Sequence, residues 1–294
     1  MLSFLSRRPV GLLAAYERDV RRGLSSAVRD RVIMEADLAH LPAPVQRYLR
    51  VAGVVAQPRV HNFRVRMRGR IRGGRDARWM PFAAEQYNFV DEPARLFYMT
   101  ARMGIVPVQA YHRYVGSSAR MIIKAAGVVP VADVSGPEMV HGETVTMFND
   151  MCVMAPATLV GPAIAWEAVD ARTARAAFSN AGVTIRAELS FNDAGELIDF
   201  RSDDRYQTSP DGRTMKKVRW STPLDAYRTF GRARLAAGGE ARWHEDEGDY
   251  AYVEITFESV EYNVASPETR RQASTRVDTP TEVGTGGGRA AVSA

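Results

Sequence analysis

Three carboxylates in this 294-residue chain have neighbours that could set them to acid–base work. Glu85 lies in Ala83-Ala84-Glu85-Gln86-Tyr87-Asn88-Phe89, where strand alternation puts it on one face with Tyr87 and Phe89. A carboxyl on an apolar face is desolvated, and desolvation raises its pKa toward the range of a general acid. Glu138 and Glu143, near Ser135 and His141, offer a second carboxylate, and Glu85 with either would make an acid/base pair for a hydrophobic substrate. The competing role for a buried Glu is an ion pair, with Arg102 and Arg113 as candidate partners. Both roles stay open at this point.

Other chemistries are poorly supplied. His40, His61, His112, His141 and His244 are scattered without His-x-His or His-Glu-x-x-His spacing, and lone Cys152 makes no Cys-x-x-Cys, so no metal site is expected. One cysteine also forbids an internal disulfide. Gly286-Gly287-Gly288 follows no strand, and there is no Gly-x-Ser-x-Gly elbow, which removes nucleotide-cofactor and serine-hydrolase readings. No cofactor is expected.

Methionine points instead toward a ligand. Met139, Met147, Met151 and Met154 fall on or beside one mid-chain helix, and Met67, Met80, Met99, Met103 and Met121 fall in strands. Met adapts to irregular apolar shapes, so it fills core gaps or lines adaptable pockets. A Met-lined concavity would take an acyl chain or another apolar or amphipathic small molecule. The residues expected to line it are Trp79, Met80, Phe82, Tyr87, Met99, Phe148 and Met151.

The elements that must position these groups are mostly strands. Arg64-Val65-Arg66-Met67-Arg68-Gly69-Arg70-Ile71-Arg72 alternates strictly, which places every guanidinium on one wet face of a strand. That pattern belongs to an antiparallel sheet with one packed and one solvated face. Its arginines would meet either an anionic ligand or cross-strand acids such as Asp199, Asp203, Glu254 and Glu258. A short helix is expected from about Ala43 to Val51, ended by Gly53, and a longer one from Glu143 to about Leu159. Further strands follow at Ala83 to Val90, Leu96 to Met103, Val108 to Val115, Ala119 to Ala126, Ala174 to Phe178, Val183 to Phe191, Leu197 to Tyr206, Lys216 to Trp220, Gly239 to His244 and Ala251 to Tyr262. The fold class is mainly β (α+β): a large curved antiparallel sheet or incomplete barrel, with a few helices covering the concave face.

Composition is that of a globular protein, 46% hydrophobic and 25% charged. The net charge of +5 concentrates at the ends, with seven Arg against four acids in residues 1–36 and four Arg against three acids in residues 265–294. The body is nearly neutral, so no nucleic-acid partner is expected. Residues 1–36 read as an N-terminal helical arm, 37–264 as one antiparallel-sheet domain and 265–294 as a disordered tail. The apolar stretch Val10 to Tyr16 lacks a cleavage site and runs into Glu17, Arg18 and Asp19, so it is not read as a secretory signal. The expected location is cytoplasmic, with peripheral contact to the inner membrane through the arm. Oligomeric state has no signature.

Several segments, in order, resemble a bacterial family of uncharacterised proteins. They are Leu41-Pro42-Ala43-Pro44-Val45-Gln46-Arg47-Tyr48-Leu49, then Arg78-Trp79-Met80-Pro81-Phe82-Ala83-Ala84-Glu85-Gln86-Tyr87, then Asp133-Val134-Ser135-Gly136-Pro137-Glu138 with Gly142-Glu143, and Val260-Glu261-Tyr262-Asn263. The resemblance spans residues 38–264 and implies no activity. Where the family reads Arg-Tyr-Leu-Ala-Glu-Met, this chain has Thr146-Met147-Phe148-Asn149-Asp150-Met151, which shortens the acid. In fold the chain more loosely resembles periplasmic lipoprotein carriers, whose incomplete barrel holds acyl chains against helices; the absent signal peptide stands against a carrier role. The leading functional expectation is a non-enzymatic binder of an apolar or amphipathic molecule, lipid among the candidates. The alternative is an enzyme using the Glu pair.

Overall fold

The computed structural model describes residues 11–24, 31–209 and 214–267. Helix α1 (Leu12–Gly23) and helix α2 (Ala43–Val51) precede six strands, β1 (Asn62–Ile71), β2 (Met80–Phe89), β3 (Ala94–Met103), β4 (Val106–Val115), β5 (Ser118–Ala125) and β6 (Val129–Ser135). The long helix α3 (Pro137–Met154) follows. Ten more strands complete the fold: β7 (Ile164–Ala168), β8 (Thr173–Asn180), β9 (Val183–Phe191), β10 (Leu197–Ser202), β11 (Tyr206–Thr208), β12 (Met215–Lys217), β13 (Arg219–Ser221), β14 (Leu224–Phe230), β15 (Ala233–Glu245) and β16 (Gly248–Tyr262).

Fourteen of these strands form one sheet in the order β6-β5-β4-β3-β2-β1-β16-β15-β13-β10-β9-β8-β7, with β14 beside β15 and β11–β12 as a separate pair. The first and last strands are neighbours, so two meanders meet at the β1–β16 ladder, and the sheet stays open rather than closing into a barrel. An open twisted sheet of more than about ten strands must curl. Register shifts at Arg66/Met67 and at Ala241/Arg242 put bulges beside this central junction, where they bend the strands. Gly69 permits the bend, because a Cβ there would lie 1.9 Å from the Glu254 carbonyl oxygen of the neighbouring strand.

Helix α3 fills the concave side and is buried on nearly all faces from Gly142 to Met154. It begins at Pro137, six residues before the expected Glu143, because proline at N1 supplies a helical φ and lacks only an N–H that has no partner there anyway. Three strands went unforeseen. β6 carries Pro130, which a sheet edge tolerates, while β7 and β14 are short and weakly alternating.

The face of β1 expected to be wet is only partly so. Arg70 pairs with Glu254 and Arg68 with Glu258, as the cross-strand reading required, whereas Asp203 pairs with Arg219 and Asp199 lies against Arg201. Arg64 at the other end is 4% exposed, because α1 lies over it. Leu12, Tyr16 and Val20 of α1 pack on Tyr87, Phe89, Leu96, Tyr98 and Tyr111 to make a second core on the convex side. The helical part of the N-terminal segment is therefore docked on the sheet. The expected tail lies, from residue 268 onward, outside the described residues.

Candidate functional site

The site lies between α3 and the inner face of β1–β4, and its polar part grows from three inward residues of adjacent strands. Gln86 and Asn88 of β2 and Arg95 of β3 share that face by register, Asn88 opposite Arg95 and Gln86 opposite Phe97. Facing them on α3 are Glu143 and Asp150, seven residues apart and so two turns along one stripe. Arg95 is the hub. Its Nε donates to Asp150 Oδ2 at 2.6 Å, its Nη1 to Glu143 Oε2 at 3.1 Å and its Nη2 to Gln86 Oε1 at 3.0 Å. Gln86 Nε2 and Asn88 Nδ2 donate to the same Asp150 oxygen at 2.7 and 3.2 Å.

The two carboxyls are driven apart. Burial alone would raise Glu143, but the charges of Arg95 and Arg205 and the nearby His112 hold it well below the usual carboxylate range. Burial pushes Asp150 up, and the pull of Arg95 and the two amides offsets that only in part. Glu143 is thus an acceptor rather than a proton donor, and Asp150 is held by three donors on one oxygen.

Next to this network is a cavity of about 170 Å³. Gln86, Arg95, His112, Glu143, Asn149, Asp150 and Arg205 form its polar end, and Met67, Phe82, Met99, Val153, Trp220, Ile255 and Phe257 are among its apolar walls. An apolar cavity of about 150 Å³ admits benzene, so this one holds a ring or a short chain. At the polar end Glu143 Oε1 and Arg205 Nε are buried, and neither has a hydrogen-bond partner among the described residues. His112 Nδ1 at 3.7 Å and the Arg205 guanidinium Nη2 at 3.8 Å approach Oε1, both too long to be hydrogen bonds. Arg205 reaches the cavity across Gly142, where a Cβ would lie 2.4 Å from its Nη1.

The expected carboxylate pair does not form. Glu85 points to the convex face, where Arg64 donates to it from Nη2 at 2.6 Å and Tyr16 from its hydroxyl at 3.2 Å; Arg64, and not Arg102 or Arg113, is its partner. Glu138 is exposed at the start of α3, and Glu143 alone of the three lines the cavity. Of the seven apolar candidates, Phe82 and Met99 line it. Tyr87 shares the convex cluster with α1. Trp79 sits between the guanidinium groups of Arg70 and Arg72, 4.7 Å from each. Met80 opposes Ile71 at the start of β2. Phe148 stacks on Phe178 from the opposite side of α3, and Met151 is buried in the core outside the lining.

Sequence reasoning missed Arg95, Gln86, Asn88, Asp150 and Arg205. A signal was present in α3, where Glu143, Thr146, Asn149 and Asp150 make a polar stripe on an otherwise apolar helix, and in Arg95 at the head of the Phe97 and Met99 face. The strand partner of that stripe was hidden, since alternation only sets Gln86 and Asn88 on the face opposite Tyr87 and Phe89.

A second arrangement has the form of a serine relay, Ser221 Oγ 2.8 Å from His244 Nε2 and His244 Nδ1 2.7 Å from Asp249 Oδ2. Ser221 is 1% exposed on a strand face and lines none of the cavities described. Among the described residues no group of His, Cys, Asp and Glu could hold a metal, and no helix is long and apolar enough to cross a membrane.

No curated protein matches the chain in sequence. Among solved structures it overlays in part on a putative outer membrane lipoprotein-sorting protein domain from Vibrio parahaemolyticus, at 8% identity and TM-score 0.38, covering 70% of this chain and 87% of that one. A DUF1329 family protein from Desulfovibrio piger overlays at 11% identity and TM-score 0.42, covering 77% and 95%. A LolA superfamily protein from Nitrosomonas europaea overlays at 8% identity and TM-score 0.39, covering 74% and 93%. A family model described as a family of unknown function, DUF6544, matches residues 31–255. The chain belongs to that family.

Proposed function

We propose that the protein binds a small amphipathic molecule whose single polar group both donates and accepts a hydrogen bond. The observation that carries this reading is the pair of unsatisfied atoms, Glu143 Oε1 and Arg205 Nε, at the polar end of a largely apolar cavity. Buried polar atoms ordinarily find partners, and two of opposite kind beside one cavity specify a guest. An ionised Glu143 only accepts, so the guest must donate to it; Arg205 only donates, so the guest must accept from it. A hydroxyl or an amide does both. A carboxylate guest would be repelled by Glu143, and an ammonium guest by Arg205 and Arg95. The rest of the guest is a ring or one short chain along Phe82, Met99 and Ile255.

Native mass spectrometry of the purified protein, followed by solvent extraction, tests this reading. The expected result is one neutral amphiphile bound per chain, carrying a hydroxyl or amide. Extraction of an anion or a cation from this cavity would overturn it.

A further inference from the structure

Two hairpin tips at one end of the sheet carry a cluster of exposed large apolar side chains. The β3–β4 tip carries Met103 and Ile105, and the β5–β6 tip carries Val128, Val129 and Val131; Ile105 is 97% exposed and the others more than half. Because β3 and β5 run in the same direction, their following turns leave the same edge of the sheet. The tips are tied together, as Ala126 N donates to the Pro107 carbonyl at 2.8 Å. The charge around them has one sign. From residue 94 to residue 132 there is no Asp or Glu, while Arg95, Arg102, Arg113, Arg120 and Lys124 occur. Arg95 is committed to the cavity network, Arg113 to Asp19 and Arg120 to Asp133. Arg102 and Lys124, which flank the aliphatic groups, have no ion-pair partner among the described residues.

Aliphatic groups flanked by uncommitted cations suit the interface of a bilayer containing anionic lipid, where the chains enter the acyl boundary and the cations meet phosphate. A second copy of this chain is a poorer occupant. Ile105 and Val128 project from turns and the other groups from strand ends beside them, and the edge strand β6 that a copy would pair with carries Pro130, which has no N–H to donate. We infer that the β3–β4 and β5–β6 tips dock the protein on an anionic lipid surface, with Met103, Ile105, Val128 and Val129 inserted and Arg102 and Lys124 on headgroup phosphates. Along β3 the inward side chains run Arg95, Phe97, Met99, Ala101, Met103, so the apolar end of the cavity faces the docked edge. The docking rests on exposed residues and holds whether or not the cavity takes a guest.

Vesicle flotation with the full chain tests it, using phosphatidylcholine alone and phosphatidylcholine with about one-third phosphatidylglycerol. Wild type is expected to float with the mixed vesicles, less with the neutral ones, and to be released as salt is raised. The double variant I105D/V128D should lose at least about tenfold in partitioning, and R102Q/K124Q should fall to the neutral-vesicle level. Ile105 and Val128 are in exposed turns and Arg102 and Lys124 near the ends of β3 and β5 with side chains outside the core, so the thermal midpoints should match wild type. A milder pair, I105S/V128S, should lose binding in the same direction if the aspartates disturb folding. Failure of wild type to float with the mixed vesicles overturns the inference, as does flotation of the aspartate variant at the wild-type level. A wild-type dimer in sedimentation that the aspartates dissolve would assign the tips to a second copy instead.

Discussion

Arg95→Met should destabilise the protein by about 3–5 kcal/mol, the cost of removing one partner from a buried ionic network. Chemical denaturation at neutral pH measures it. The guanidinium is the only cation hydrogen-bonded to either Glu143 or Asp150 among the described residues, and it also fixes Gln86. Methionine fills the volume but leaves two carboxylates in the interior. Against a typical total stability of about 5–15 kcal/mol, that is a large share. The pH dependence gives the loss a signature. In the wild type the folded pKa of Glu143 lies below its unfolded value, so its contribution is complete above the ordinary Glu pKa of about 4.3 and is lost as pH falls below that. In the variant, burial without Arg95 raises both carboxyls, so the deficit is greatest at neutral pH and shrinks as they take up protons on acidification. Adding Asp150→Asn to Arg95→Met should recover part of the loss. A deficit under about 1 kcal/mol, or one that does not change with pH, would mean that Arg95 is not the hub.

Gly142→Ala should separate binding from stability. The added Cβ would lie 2.4 Å from Arg205 Nη1. That atom ends a flexible side chain, so the guanidinium turns out of the cavity while the helix stays in place. Alanine in a helix interior contributes roughly 0.5–1 kcal/mol over glycine, so stability should hold or rise. Binding should nevertheless drop by at least about tenfold, the worth of one hydrogen bond to a charged group. Arg205→Met should give the same binding loss. Calorimetric titration of both variants with 1-octanol, alongside thermal unfolding, reads the two effects. Unchanged binding in Gly142→Ala would remove Arg205 from the site.

The sheet was legible because its pattern is local. Val183 to Phe191 alternates cleanly and forms β9 with those bounds, and Arg64 to Ile71 states a strand by its period alone. Helix α2 was equally plain, its apolar spacing bracketed by Pro44 and Gly53. The site was not legible, since alternation reveals that two faces differ but not which is inside. In β2 the aromatic face looked like the core, with the amide face opposite; α1 covers the former, and Arg95 with Asp150 satisfies the latter. That choice sent Glu85 and Tyr87 to the wrong side of the sheet. Arg205 lies 62 residues beyond Glu143, and no local rule brings the two together. Methionine counting found the helix that forms one wall but could not select its face, so Phe148 and Met151 fell behind it.

In the proposed complex a neutral donor–acceptor head completes Glu143 and Arg205. Calorimetric titration of the wild type with four ligands sharing one chain, 1-octanol, octanamide, octanoate and octylamine, tests it most directly. The alcohol and the amide should bind, and both charged ligands should bind at least about tenfold more weakly, since each places a like charge at the buried end. Octanoate or octylamine binding as tightly as 1-octanol would contradict it.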